Sequence, residues 1–153
     1  MDASRRRRFM SALAALAASS PLLWWREAAA AGDGLASIVD KITGGARVRH
    51  GRVKLNIPRL ADNGHSVPLK IAVESAMTAA DHVRRIIILS ERNPRPVIAT
   101  FYLSPKCGRP EVATRVRLNG TQRVLVIAQL ADGEYWSGSA EVEVTESACL
   151  DAT

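Results

Sequence analysis

From residue 52 to residue 146 the chain repeatedly places apolar residues at every second position, and it interrupts each run with proline, glycine or asparagine. Side chains alternate between the two faces of a strand, so this period buries one face and wets the other. Glu111-Val112-Ala113-Thr114-Arg115-Val116-Arg117-Leu118 is the clearest run, with charges confined to one face. Arg52–Ile57 and Val67–Glu74 alternate in the same way, and Pro68 is acceptable near a strand start or on an edge. Ile86-Ile87-Ile88-Leu89 does not alternate, which predicts a strand covered on both faces, and Arg123–Leu130 is apolar enough to be central. Asp62-Asn63-Gly64, Asn93-Pro94-Arg95-Pro96, Pro105 to Pro110, Asn119-Gly120 and Asp132-Gly133 punctuate the runs as turns or loops. Strands of this length and spacing predict an all-β, immunoglobulin-like sandwich of about seven strands.

One segment has a different period. Leu35, Ile38, Val39 and Ile42 follow helical spacing, with Asp33 as an N-cap and Gly44-Gly45 as a stop, so one short N-terminal helix precedes the strands. Before it, residues 1–31 read as an export signal. Arg5 to Arg8 are followed by the apolar stretch Phe9–Ala18, and Ala28–Ala31 offer a small-residue cleavage site near Ala30–Gly32. Arg6, Arg7 and Phe9 fit a twin-arginine address, the alternative being a general secretory signal with an arginine-rich start. Pro21 and Arg26 interrupt the apolar stretch, so no stable membrane span is expected. The expected product is a periplasmic domain over 32–146 with a C-terminal arm at 147–153, in a compartment where disulfides persist.

Half of the chain's +6 formal charge falls on this leader. Arg5 to Arg8 and Arg26, against Asp2 and Glu27, account for +3, leaving +3 spread over both signs without a dense cluster. Nucleic acid is therefore not an expected partner. His50, His65 and His82 are scattered, and neither cysteine sits in a metal-ligand spacing, so no metal or other cofactor is expected. The acids Asp62, Glu74, Asp81, Glu91 and Glu111 are equally dispersed, and no nucleophile elbow, phosphate loop or zinc-protease motif occurs, so no catalytic residue is assigned and the chain does not read as an enzyme. Tyr135 and Trp136 fit packing between sheets better than a ligand or partner surface.

Two thiols remain. Cys149 is the fifth residue from the C-terminus, where burial is uncommon, and Cys107 lies in the proline-bounded loop. The residues leave three roles open for Cys149: a disulfide with Cys107 that staples the tail, an incidental thiol on an interaction module, or a thiol displayed for chemistry.

Several motifs, taken in order, resemble the SoxY family of sulfur-oxidation carrier proteins. They are Ile42-Thr43-Gly44-Gly45, Leu55-Asn56-Ile57-Pro58, Ala61-Asp62-Asn63-Gly64, Val67-Pro68, Glu74-Ser75-Ala76-Met77-Thr78, Asn93-Pro94-Arg95-Pro96, Gly108, Thr114–Leu118 and Asp132-Gly133. The resemblance spans roughly residues 35–149. It implies an exported immunoglobulin-like domain paired with a SoxZ-like β-sandwich subunit as a heterodimer. A cysteine on the C-terminal arm, here Cys149, would carry sulfur intermediates covalently while sulfur-processing enzymes act on them, as in thiosulfate oxidation. The arm departs from the usual Gly-Gly-Cys-Gly-Gly. Ser147-Ala148-Cys149-Leu150-Asp151 is closer to a SoxY-related subgroup ending Ala-Ala-Cys-Ile-Glu, with a stiffer backbone and with Glu146 and Asp151 placing negative charge near the sulfur. Those carboxylates argue against a thiosulfate-like dianion as the cargo.

Overall fold

The computed structural model describes residues 27–148, with side chains from residue 34 onward. The expected leader, including Arg6, Arg7 and Phe9, and the thiol of Cys149 lie outside the described residues. The chain divides into two units at Gly34 and Leu35, and the strands all belong to the second.

Helix α1 spans Glu27–Thr43. It begins before the N-cap expected at Asp33, which lies inside it, because Ala28–Ala31 are the strongest helix formers and continue the helix backwards. Its end falls where expected: the Gly45 N–H closes onto the Asp40 carbonyl at 3.0 Å. From Leu35 on, its apolar stripe (Leu35, Ile38, Val39, Ile42) packs with Ile87, Leu89, Ile127 and Tyr135.

Nine strands follow: β1 Val48–His50, β2 Val53–Asn56, β3 Leu60–Asn63, β4 Val67–Val73, β5 Val83–Ser90, β6 Val97–Tyr102, β7 Glu111–Val116, β8 Gln122–Leu130 and β9 Tyr135–Glu146. One sheet runs β1-β9-β8-β5-β6, with β3 also paired to β9, and the other runs β2-β4-β7. The two beyond the expected seven are β1 and β3, which pair parallel to the first and last thirds of the twelve-residue β9. Strands of three and four residues are too short to show a period.

Strand β5 is covered on both faces, as its sequence requires. Ile86 and Ile88 enter the core between the sheets, whereas Ile87 and Leu89 meet the helix, and none of the four is more than 2% exposed. Each stabilises the fold by roughly 1.5–3 kcal/mol through burial. Strand β4 sends Val67, Leu69, Ile71 and Val73 into the same inter-sheet core, opposite Val124, Val126, Val142 and Val144. Pro68 stands at the start of β4, beyond the last residue paired with β2, so its missing N–H breaks no ladder there.

The strands give the sandwich two ends. Loops β3–β4, β5–β6 and β7–β8 and the end of β9 share one, since Val67 pairs with Val116 and Leu89 with Val97. Loops β1–β2, β4–β5, β6–β7 and β8–β9 share the other.

Candidate functional site

Strand β9 leads directly to the arm, and its last residues are held from two sides. Parallel pairing sets Ala61 beside Val144 and Asn63 beside Glu146. On the other side β8 no longer reaches, and Thr121 substitutes for it. The Thr121 Oγ1 accepts the Val144 N–H at 3.0 Å and sits 3.5 Å from the Val144 carbonyl.

Beyond β9 three segments meet in a backbone knot. The Gly64 N–H donates to the Glu146 carbonyl at 2.8 Å, the Leu118 N–H to the Gly64 carbonyl at 2.8 Å, and the Ala148 N–H to the Leu118 carbonyl at 3.3 Å. Leu118 and Ala148 are fully buried. A Cβ on Gly64 would stand 2.2 Å from the Leu118 carbonyl oxygen and 2.9 Å from the Ala148 nitrogen, so only glycine fits. Gly64, read from sequence as a turn residue, therefore also seats the root of the arm. Gly120, in the expected Asn119-Gly120 turn, takes a φ of 77° and brings the turn against the Ser147 hydroxyl.

The neighbouring loops are cross-tied by side chains. Asn93 Oδ1 accepts the Asn119 N–H at 2.9 Å and the Gln122 side-chain N–H at 3.1 Å, while Asn93 Nδ2 donates to the Arg117 carbonyl at 2.8 Å. Gln122 Oε1 accepts the Arg92 N–H at 2.9 Å. The arm thus leaves from a braced platform, and Cys149 follows the buried Ala148 by one peptide unit.

Cys107 lies at the opposite end. It closes the short 3-10 turn Pro105–Cys107, where its exposed sulfur receives the Ser104 N–H at 3.5 Å. Strand β7 runs from beside this turn to the arm root, and its six residues span roughly 20 Å at about 3.3 Å each.

The remaining polar residues do not converge. His50 is exposed at the end of β1, His65 is exposed in the β3–β4 loop and His82 is half-buried just before β5. Glu74 is tied to Lys54 at 2.7 Å, Asp81 to Arg52 at 3.7 Å and Glu91 to Arg123 at 3.3 Å. The Lys54 ammonium holds the Glu74 carboxyl below its ordinary value by hydrogen bonding and charge, and Glu74 raises Lys54 reciprocally. Among the described residues no three His, Cys, Asp or Glu side chains come together to hold a metal ion, and no helix is long and apolar enough to cross a membrane. Tyr135 is buried against the helix, whereas Trp136 is half-buried on the inter-sheet core with Arg49 and Arg52 at 5.6 and 5.4 Å from its ring.

The sequence matches the family described as sulfur oxidation protein SoxY over residues 39–149. Comparison with curated proteins gives no match. Among solved structures, the sulfur carrier protein SoxY from Chlorobium limicola f thiosulfatophilum is similar at 25% identity and a TM-score of 0.63, over 74% of this chain and 98% of that one. A superoxide reductase (neelaredoxin) from Ignicoccus hospitalis shares the fold at 17% identity and a TM-score of 0.55, over 61% of this chain and 80% of that one.

Proposed function

The chain belongs to the SoxY family of sulfur oxidation proteins, and from that premise we propose that it is a periplasmic carrier which holds sulfur intermediates covalently on Cys149 while other enzymes act on them. The observation that carries this reading is that the family match covers the whole β domain and runs to Cys149 itself. The solved sulfur carrier from Chlorobium limicola adds support at the level of the fold.

The chemistry asked of the chain is small. The Cys149 thiolate attacks one sulfur of a donor's S–S bond; the new S–S bond forms as the old one breaks, and the donor's other sulfur leaves as an anion. The electrons balance within the exchange, so the carrier needs no redox group of its own. Its contribution is to present the thiol on a fixed root, and the knot of Gly64, Leu118 and Ala148 suits that task. A SoxZ-like subunit and sulfur-processing enzymes are the partners this role calls for.

The stapled alternative, a Cys107–Cys149 disulfide, fits less well. Bridged cysteines have Cα atoms about 4.4–6.8 Å apart. Ala148, directly before Cys149, is seated roughly 20 Å from the Cys107 end by the span of β7. Such a bridge requires the end of β9 to leave its seat.

Replacing Cys149 with serine tests the role. The carrier reading predicts a folded protein that still binds its partner subunit and no longer supports sulfur-dependent electron transfer in the complete system. Full activity from Cys149→Ser would leave an interaction module with an incidental thiol.

A further inference from the structure

Strand β9 is open along the middle of its outer edge. Strand β1 pairs in parallel with Tyr135, Trp136 and Ser137, and β3 with Glu143, Val144 and Glu146. Between them the chain leaves for the other sheet as β2. Backbone contacts close the gap at both ends. At one end β2 crosses so near that a Cβ on Gly138 would stand 2.4 Å from the Val53 carbonyl oxygen. At the other the Glu143 N–H donates to the Arg59 carbonyl at 2.7 Å. Ser139–Val142 lies between, roughly 13 Å of strand at about 3.3 Å per residue.

The backbone in this gap is unpaired. Alternate residues of a strand turn both N–H and C=O to the same side. The Ser137 carbonyl and the Glu143 N–H face away from β8, so the N–H and C=O of Ser139 and Glu141 do too, and there they meet no backbone partner among the described residues. The facing wall is β2. Since the Glu74 N–H donates to the Arg52 carbonyl at 2.7 Å, the same alternation turns the backbone groups of Leu55 away from β4. The two edges enclose a groove of about 760 Å³, with Leu55, Ile57 and Arg59 along one wall and Ser139, Glu141 and Glu143 along the other.

The side chains give the groove two faces. Val142 belongs to the inter-sheet core, and Leu55 and Ile57 pack against that core, so the inner face is apolar. Ser139, Glu141 and Glu143 are exposed on the outer face. The charged lining is two carboxylates against one cation, Arg59. Neither glutamate forms a salt bridge among the described residues, and Arg123, directly across the ladder from Glu141, is engaged by Glu91 at 3.3 Å. We propose that this groove receives a short extended segment of a partner protein, which adds a strand to the middle of β9. Its apolar side chains turn toward Leu55 and Ile57, and its alternate side chains, Lys or Arg, lie beside Glu141 and Glu143. Main-chain bonds to Ser139 and Glu141 hold such a segment, and the alternation selects it. A second copy of this chain is a poorer occupant, because its own β9 edge would set like carboxylates against each other. The groove and its partner are independent of what Cys149 carries.

Solvent exchange of single amides, followed by NMR on the full chain with capped tetrapeptides as probes, tests this. Acetyl-Val-Lys-Val-Lys-amide at about 2 mM should slow exchange at Ser139 and Glu141 about threefold, which corresponds to a dissociation constant on the order of 1 mM. The exposed Lys106 amide, at the Cys107 end, should not respond. With two charges each contributing a factor of about two, the slowing should drop below about 1.5-fold in the Glu141→Gln, Glu143→Gln variant. It should drop as far for acetyl-Val-Glu-Val-Glu-amide, and for the fully N-methylated lysine peptide, which keeps its charges and has no N–H to donate. In the wild-type protein it should decline likewise between about 0.01 M and about 1 M salt, a reading that remains if the variant folds poorly. No slowing at either amide, or equal slowing by the acidic or N-methylated peptide, would overturn the proposal. So would protection of Ser139 and Glu141 without any peptide: if it grows with protein concentration the occupant is a second copy, and if it does not, a segment of this chain fills the groove.

Discussion

The two ends of the sandwich are built from similar loops and each has one cysteine within its reach in sequence, yet they are held together differently. At the Cys107 end two arginines are matched: Arg49 meets Glu134 at 2.8 Å, Arg52 meets Asp81 at 3.7 Å, and both lie over the Trp136 ring. There the charges tie loops to one another. At the arm end Arg123 meets Glu91 at 3.3 Å, other arginines bond to backbone carbonyls and a serine hydroxyl, and the holding is shared by Gly64, Leu118, Asn93 and Gln122. Rigidity at that end comes mainly from neutral hydrogen bonds and close backbone approach.

The largest effect expected from breaking this division is at the neutral knot. Gly64→Ala forces the Leu118 carbonyl and the Ala148 amide apart. It should cost about 3 kcal/mol in denaturant unfolding and speed hydrogen exchange at Ala148 and Leu118. Unchanged stability would mean that the knot is not tight. Trp136→Ala at the other end should cost about 2 kcal/mol, through lost packing and lost cation–π contact. It should leave hydrogen exchange at Ala148 and Leu118 unaltered, and any change there would show the ends to be coupled.

Arginine substitutions at the arm end are expected to matter less. Arg92→Gln with Arg117→Gln should change stability by no more than about 0.5 kcal/mol. A large loss of stability would assign these arginines to holding the loops. The smallest effect belongs to Lys54 and Glu74 on the exposed face of the small sheet. Glu74's carboxyl is lowered, so the pair contributes above the ordinary carboxyl range and that contribution is lost as pH falls through Glu74's depressed value. Lys54→Gln should return Glu74 toward its ordinary titration, seen by NMR, with no measurable change in Tm.

Much of the fold was legible because it is written locally. The unbroken Ile86–Leu89 run demanded two covers and received them, and the alternation of Val67–Val73 and Glu111–Val116 gave the small sheet directly. Strands β1 and β3 were not legible, since their existence depends on pairing with β9 some 80 residues away. The helix start was misplaced because a good capping residue, Asp33, competes with four preceding alanines, and helix propensity prevailed. At the site the limits are sharper. Cys149 could be singled out by its position and by family resemblance, and it lies outside the described residues. Gly64 looked like any turn glycine until Leu118 and Ala148 were seen against it. The places of Arg92 against Thr121 and of Arg115 against Ser66 have no sequence signature, because they exist only after the strands assemble.

The central claim is that Cys149 carries sulfur, and the mass of one peptide tests it most directly. Protein purified without reductant from its own cells, grown on a reduced sulfur compound, should yield on tryptic digestion the peptide Val124–Thr153 with added mass corresponding to bound sulfur or sulfur oxyanions. The increment should disappear on reduction and be absent from Cys149→Ser. An unmodified peptide under those conditions, or one found only linked to Cys107–Arg115, would contradict the account.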